Sequence, residues 1–254
     1  MPAPLIDEAP TLVRRRGTPV HAQIEQWLLA QISRGAIATG ERLPGERELA
    51  KALRVSRMTL RQALGGLARK GVLIRVPGRT GGAFVAEPKV DCDLTGVAGF
   101  TEQMRRAHRQ AGAQVIAAHI VAADATIAAA LHLPIDAPVY EVVRVRDADG
   151  ATLALERSWL PAGRLPGLLD HPLTGSLYDL LDKHYGLAPQ TAVEYLEPVT
   201  ADAADAAALG VAEGAALMQV ERTAESSTGL PVEFARDRYR ADKARLMIRT
   251  TVSP

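Results

Sequence analysis

GERLPGERELAKALRVSRMTLRQALGGLARKGVLIRVPGRTGGAFV, residues 40–85, contains a short helical pattern, a tight connection, a second helical pattern and a hairpin, in that order. Pro44 can open a short helix whose apolar positions Leu49, Ala50 and Leu53 turn inward. Arg54-Val55 is the connection. Ser56 is a good N-cap for the next helix, in which Leu60, Ala63, Leu64 and Leu67 form the buried stripe and Gly71 supplies the stop. Arg57, Met58, Thr59 and Arg61 are left facing outward. VLIRV and AFV are short runs suited to strands, and PGRTGG between them reads as a Gly-rich hairpin tip. Upstream, PVHAQIEQWLLAQISRG sets Val20, Ile24, Trp27, Leu28 and Ile32 on one helical stripe between Pro19 and Gly35. Helix, helix, turn, helix, hairpin predicts a winged helix-turn-helix over residues 19–86.

The exposed residues suit a DNA duplex. Side chains near the start of a recognition helix lie closest to base edges, and the planar fork of Arg matches the O6/N7 pair of guanine. Arg57 and Arg61, four apart, share one face. The hydroxyls of Ser56 and Thr59 and the N–H groups at helix starts suit phosphate oxygens. Gly78 and Gly81-Gly82 allow the hairpin tip a close approach, with Arg79 placed to enter a groove. Read without context, a basic helix face is a solvated face. PGRTGG lacks the G-x-x-x-x-G-K-[ST] spacing of a phosphate-binding loop, so it is read as a hairpin tip.

With PVHAQI before it, this run resembles the N-terminal winged helix of the GntR transcription regulators, whose usual form is close to P-x-Y-x-Q-I, G-D-x-L-P-S-E-R-x-L-A, V-S-R-x-T-V-R-x-A-L and G-x-G-x-F-V. The match covers residues 19–85. It implies that Arg47, Arg57, Thr59 and Arg61 occupy positions the family uses on operator DNA and that Gly78 lies at the wing tip. His21 for Tyr, Glu41 for Asp and Gly45 for Ser are mild departures. Gly65-Gly66 is a larger one, since each Gly costs roughly 1 kcal/mol of helix propensity relative to Ala. The pair is read as permitting close packing late in the helix.

Charge separates this head from the rest. Residues 1–90 hold 15 Lys/Arg against 7 Asp/Glu, whereas residues 91–254 hold 15 against 22. A basic head suggests a polyanionic partner, and an acidic body is a poor wrapper of nucleic acid. The chain has 254 residues, 47% of them hydrophobic and 23% charged, enough for two ordinary domains with real cores. No apolar run approaches a membrane span, no secretory signal is visible, and Cys92 stands alone, so a reducing cytoplasm is expected. Arg14–Arg16 reads as part of a flexible arm over residues 1–18, either touching phosphates or adding solubility.

Glu87-Pro88-Lys89 and the polar stretch after it read as a linker over residues 87–99, with a second domain over 100–250. In that domain FTEQMRRAHRQAG reads as a helix ended by Gly112, VIAAHIVAA as a strand, and DATIAAALHL as a helix capped by Asp124. VYEVVRVRDADGATLALERSWL is two strands around Asp149-Gly150, the strongest short hairpin signal. SLYDLLDKHYG is a helix capped by Ser176, and TADAADAAALG one capped by Thr200 or Asp202. LMQVERTAES and LPVEFARDRYR are strands around Ser227–Gly229. The fold class is α+β with a mostly antiparallel sheet.

On its own spacing this sheet offers a pocket. Arg144 and Arg146 are two apart on one strand and can converge on one anionic group. Glu233 and Tyr239 share a face of another strand, and Ser176 opens a helix whose free N–H groups attract an anion. Equally, Ser176 can be only an N-cap and the arginines an exposed face paired with acids. The tail resembles the UTRA effector domain of the HutC subfamily of GntR regulators, which has a chorismate-lyase-like fold. FTEQM with Gly112, VVRVRDADG, SLYDLLDKHYG, ALGV with Gly214 and GLPVEFARDRYRAD carry that resemblance over 100–243. It implies that Arg144, Arg146, Ser176, Glu233 and Tyr239 line an effector site, often one for a phosphorylated sugar.

Together these readings predict a homodimeric transcription regulator, a repressor released from a pseudo-palindromic operator by a small anionic metabolite. No cofactor, metal or membrane partner is expected. The six His residues show no ligand spacing. Two rivals stand beside it. An enzyme with a chorismate-lyase-like body would draw its acid/base groups from Glu156, Glu233 and Tyr239. A non-specific architectural DNA protein would respond to no small molecule.

Overall fold

The computed structural model describes residues 5, 9–10, 12, 18–78 and 81–251. Arg14–Arg16 and Arg79 lie outside the described residues. The chain divides into two compact units, Met1–Pro88 and Lys89–Pro254.

In the first unit α1 (Val20–Ser33), α2 (Glu46–Ala52) and α3 (Arg57–Arg69) precede an antiparallel hairpin of β1 (Leu73–Val76) and β2 (Gly82–Val85). Ile24 and Leu28 of α1, Leu49, Ala50 and Leu53 in and just after α2, and Leu60, Ala63, Leu64 and Leu67 of α3 close one core. The chain before α2 also joins the wing: Leu43 N–H donates to Ala83 O at 2.8 Å, and Val85 N–H donates to Glu41 O at 2.9 Å. The arm expected over residues 1–18 is in part packed. Leu5 is only 2% exposed within this core, and Ala9 and Leu12 lie against it. Those few apolar residues, set among Asp, Glu and Pro, show no periodicity that a sequence reading could use.

The second unit runs β3 (Val90–Asp93), α4 (Phe100–Arg106), β4 (Ala111–Ala122), α5 (Ala125–Leu131), β5 (Pro138–Ala148), β6 (Ala151–Pro161), α6 (Leu177–Tyr185), β7 (Pro189–Thr200), α7 (Ala203–Leu209), β8 (Ala216–Ser226), β9 (Pro231–Arg240) and β10 (Ala244–Met247). Six strands form one antiparallel sheet in the order β4-β5-β6-β9-β8-β7, and β3 pairs in parallel with β10. The β5–β6 turn has Asp149 at φ 52° and Gly150 at φ 80°, the two positive φ values that a type I′ turn requires. Asp124, Ser176 and Asp202 each cap a helix by accepting the N–H three residues on.

Three expectations change. Residues 90–93, read as linker, form β3: the pairing with β10 comes from about 150 residues further along the chain and leaves no local signal. The helix expected to run to Gly112 ends at Arg106, and Gly112 lies in β4, where a Cβ would stand 2.1 Å from the Asp147 carboxylate. A strand is also present at β7, whose mixed polar and apolar residues alternate weakly because it is a sheet edge.

Candidate DNA interface and effector site

In the first unit the Ser56 Oγ accepts from Thr59 N–H at 3.1 Å and lies 2.8 Å from Thr59 Oγ1. Both hydroxyls thus hold the start of α3 as well as facing its surface. Arg47, Arg57 and Gly78 are exposed, Gly78 with a φ of 105° at the wing turn. Arg61 is not free. Its Nε donates to Glu46 Oε2 at 2.7 Å, and Arg75 of β1 reaches Glu46 Oε1 at 3.1 Å. Arg42 donates to Gly81 O, and at Gly81 a Cβ would stand 2.0 Å from Val76 O, so the tip needs Gly there. Arg42 and Arg75 were outside the sequence reading because neither lies on a helix, where spacing would have marked it.

The second unit carries a polar network on one face of its sheet. Register places Arg144, Glu156 and Asp237 directly opposite one another on β5, β6 and β9. Arg144 and Arg146 are 2% and 1% exposed, so they form no solvated face. Both meet Glu156 Oε2, Arg144 through Nη2 and Arg146 through Nη1 at 3.3 Å. Arg144 Nη1 also donates to Leu173 O at 2.8 Å and Gly175 O at 2.9 Å, in the loop just before Ser176. Its Nε is buried with no hydrogen-bond partner. Arg146 continues to Thr101 Oγ1 at 3.0 Å and lies 4.5 Å from the Phe100 ring centroid. Burial opposes the charge of Glu156, but Arg144, Arg146 and Arg222 overcome it and hold the carboxyl below its ordinary value.

Glu233 accepts from Ser158 Oγ at 2.8 Å and from Tyr178 OH at 2.8 Å. Arg222 reaches Glu233 at 3.4 Å, Glu194 at 3.2 Å and Asp237 at 2.9 Å. Burial, together with Glu156 and Glu233 nearby, pushes the Asp237 carboxyl up to about 7 despite Arg222. The Tyr239 hydroxyl donates to Gln103 Oε1 at 3.3 Å, and burial pushes its pKa well up.

The fold therefore brings Arg144 and Arg146 together with the Ser176 loop, and places Glu233 and Tyr239 on the same sheet face. Ser176 is itself an N-cap, its Oγ accepting from Asp179 N–H at 3.1 Å. Tyr178, Arg222 and Asp237 were missed. Tyr178 sits on a helix whose period marks it only as half-buried. Arg222 and Asp237 lie on strands where one charged residue looks like any other until pairing is known. Among the described residues no cluster of His, Cys, Asp or Glu could hold a metal ion. No described helix is long and apolar enough to cross a membrane.

A winged helix followed by a sheet domain with a buried network of arginines and carboxylates is the architecture of a DNA-binding regulator with a body for small-molecule sensing. Family models agree: residues 21–85 match bacterial regulatory proteins of the gntR family, and residues 106–245 match the UTRA domain. The chain belongs to the GntR family, and its two domains fit the HutC subfamily. It is 32% identical over 225 residues to the HTH-type transcriptional repressor NagR of Bacillus subtilis, covering 89% of this chain and 92% of that one. A probable fructoselysine utilization operon transcriptional repressor of Escherichia coli is 29% identical, with 90% and 93% covered. The crystal structure of PhnF from Mycobacterium smegmatis aligns with a TM-score of 0.65 at 30% identity, over 92% of this chain and all of that one. The chain is a transcription regulator and not an enzyme, which sets aside the acid/base reading of Glu156, Glu233 and Tyr239.

Proposed function

We propose that the protein is a homodimeric cytoplasmic repressor that leaves a pseudo-palindromic operator when a small anionic metabolite, a sugar phosphate or an organic acid, binds its second unit. One recognition helix reads too few base pairs for genomic specificity, and a symmetric pair doubles the site. Arg47, Ser56, Arg57, Thr59, Arg61 and Gly78 are assigned to DNA, with Arg79 assigned from the sequence alone. Arg144, Arg146, Ser176, Glu233 and Tyr239 are assigned to the effector, and Tyr178 joins them through its bond to Glu233.

The observation that carries this reading is the pair of buried guanidiniums on one carboxylate, with one Arg144 N–H left unpartnered. Buried donors without acceptors cost about 1–3 kcal/mol, so an acceptor from a ligand is favoured at that N–H. A relative named for a fructoselysine utilization operon is consistent with a sugar-derived effector. The test is fluorescence anisotropy against the duplex upstream of the gene and a scrambled duplex of equal length, at two salt concentrations. A preference of about 10³-fold with steep salt dependence, reversed by a sugar phosphate or organic acid, is expected. Equal weak binding to all tested upstream duplexes and the scrambled one refutes the operator reading.

A further inference from the structure

Glu46 is an acid in the midst of the surface assigned to DNA, where phosphate would repel it. It opens α2 and bridges two cations from different elements: Arg61 of α3 at 2.7 Å and Arg75 of β1 at 3.1 Å. The three side chains line a groove of about 410 Å³ together with Arg42, Pro44 and Gly81. Stability does not account for the arrangement, because Arg61 and Arg75 are 48% and 46% exposed and ion pairs of that kind contribute about 0–1 kcal/mol.

We propose that Glu46 is a positioning residue for sequence reading: its carboxylate fixes Arg61 on the recognition helix and Arg75 on the wing as one unit. The proposal rests on the DNA reading above and extends it. An unrestrained guanidinium takes whichever acceptor is nearest, and the nearest on DNA are phosphates, which carry no sequence information. With Nε committed to Glu46 Oε2, Arg61 is left with its terminal Nη1 and Nη2 as the fork that can meet guanine O6 and N7 end-on. Arg75 gives one Nη2 to Glu46 and keeps Nε and Nη1 for the backbone beside the base that Arg61 reads. Arg75 thereby becomes an assigned phosphate contact. The acid weakens attraction to DNA in general and sharpens the choice among sequences.

The experiment measures wild type, Glu46→Gln and Arg75→Ala against operator and scrambled duplexes over a salt series, with thermal melting as the folding control. For Glu46→Gln the ratio of operator to scrambled affinity is expected to fall about 10-fold. Scrambled affinity should hold or rise, and the salt slope steepen as freed guanidiniums find phosphates. For Arg75→Ala both duplexes should weaken alike, with a slope smaller by about 1. If Glu46→Gln melts early, Glu46→Asp, which keeps the charge at shorter reach, takes its place with the same expected loss of ratio. A wild type that discriminates, beside a folded Glu46 variant with unchanged ratio and slope, overturns the clamp alone. A wild type without preference removes the DNA reading and the clamp with it.

Discussion

Arg144 and Glu156 form a pair whose two members cannot be removed independently. Removing one partner of an isolated buried pair costs about 3–5 kcal/mol; here Arg146 still faces Glu156, so Arg144→Met alone should cost less than that and still lower the unfolding midpoint of the second unit in urea. The double variant Arg144→Met with Glu156→Gln also strips Arg146 of its carboxylate, so it should recover only part of that loss and still fail to release operator on effector addition. A normal effector response in the double variant takes Arg144 out of the site. Asp237 gives a pH dependence whose sign follows from its raised pKa. Between about 4 and about 7 the folded protein keeps a proton that the unfolded chain has released, so stability falls as pH rises through that window. Above it this group adds nothing further. Urea midpoints at several pH values check this: Asp237→Asn should flatten the decline, and an equal slope in wild type and variant would assign it to other groups. At this scale the sequence marked Arg144 and Arg146 by their spacing of two but not their common partner. Glu156 was singled out only as a possible acid/base group, not as the arginines' partner, because that contact depends on the β5–β6 register. Arg222 and Asp237 depend on the β8–β9 register in the same way.

Elements were legible where the signal is local. The capped helices and the Asp149-Gly150 hairpin follow from residues within a few positions of one another. β3 and β10 do not, since each is a strand only because the other exists. The Gly65-Gly66 pair in α3 shows how far a local reading reaches. A Cβ at Gly66 would stand 2.1 Å from Glu25 Oε1, and Glu25 is held by Lys70 at 2.6 Å. At Gly65 the nearest atom is Arg69 Nη1 at 3.7 Å, an ordinary contact. Close packing thus explains the second glycine and not the first. Gly65→Ala should stabilise the first unit by about 1 kcal/mol through helix propensity. Gly66→Ala should forfeit that gain, because Glu25 must move and give up its geometry with Lys70. Melting curves of the two variants check the contrast, and equal gains would show that Glu25 yields without cost.

For the whole molecule, the effector and the operator can be coupled only by the difference in effector affinity between DNA-competent and released arrangements. The same factor must appear in both directions: if saturating effector weakens operator binding by a given ratio, operator must weaken effector binding by that ratio. The covalent route between the units is short. Ala86 N–H donates to Val72 O at 2.9 Å on the head side, and Val90 N–H donates to Lys243 O at 2.8 Å on the body side. Only residues 87–89 separate these anchors, a reach of at most about 3.3–3.6 Å per residue. A tether this short limits how far one anchor can move from the other. Six Gly/Ser residues inserted between Pro88 and Lys89 would behave as flexible coil and erase that constraint. Operator affinity in the inserted variant should then be the same with and without effector, while effector affinity measured without DNA stays at the wild-type value. Undiminished release by the inserted variant would show that the signal does not pass through the three-residue connection. The sequence exposed this connection through Pro88 and the change of charge sign near residue 90. What it hid was how closely both ends are pinned, because one anchor is a hydrogen bond to Lys243, just before β10 and about 150 residues away.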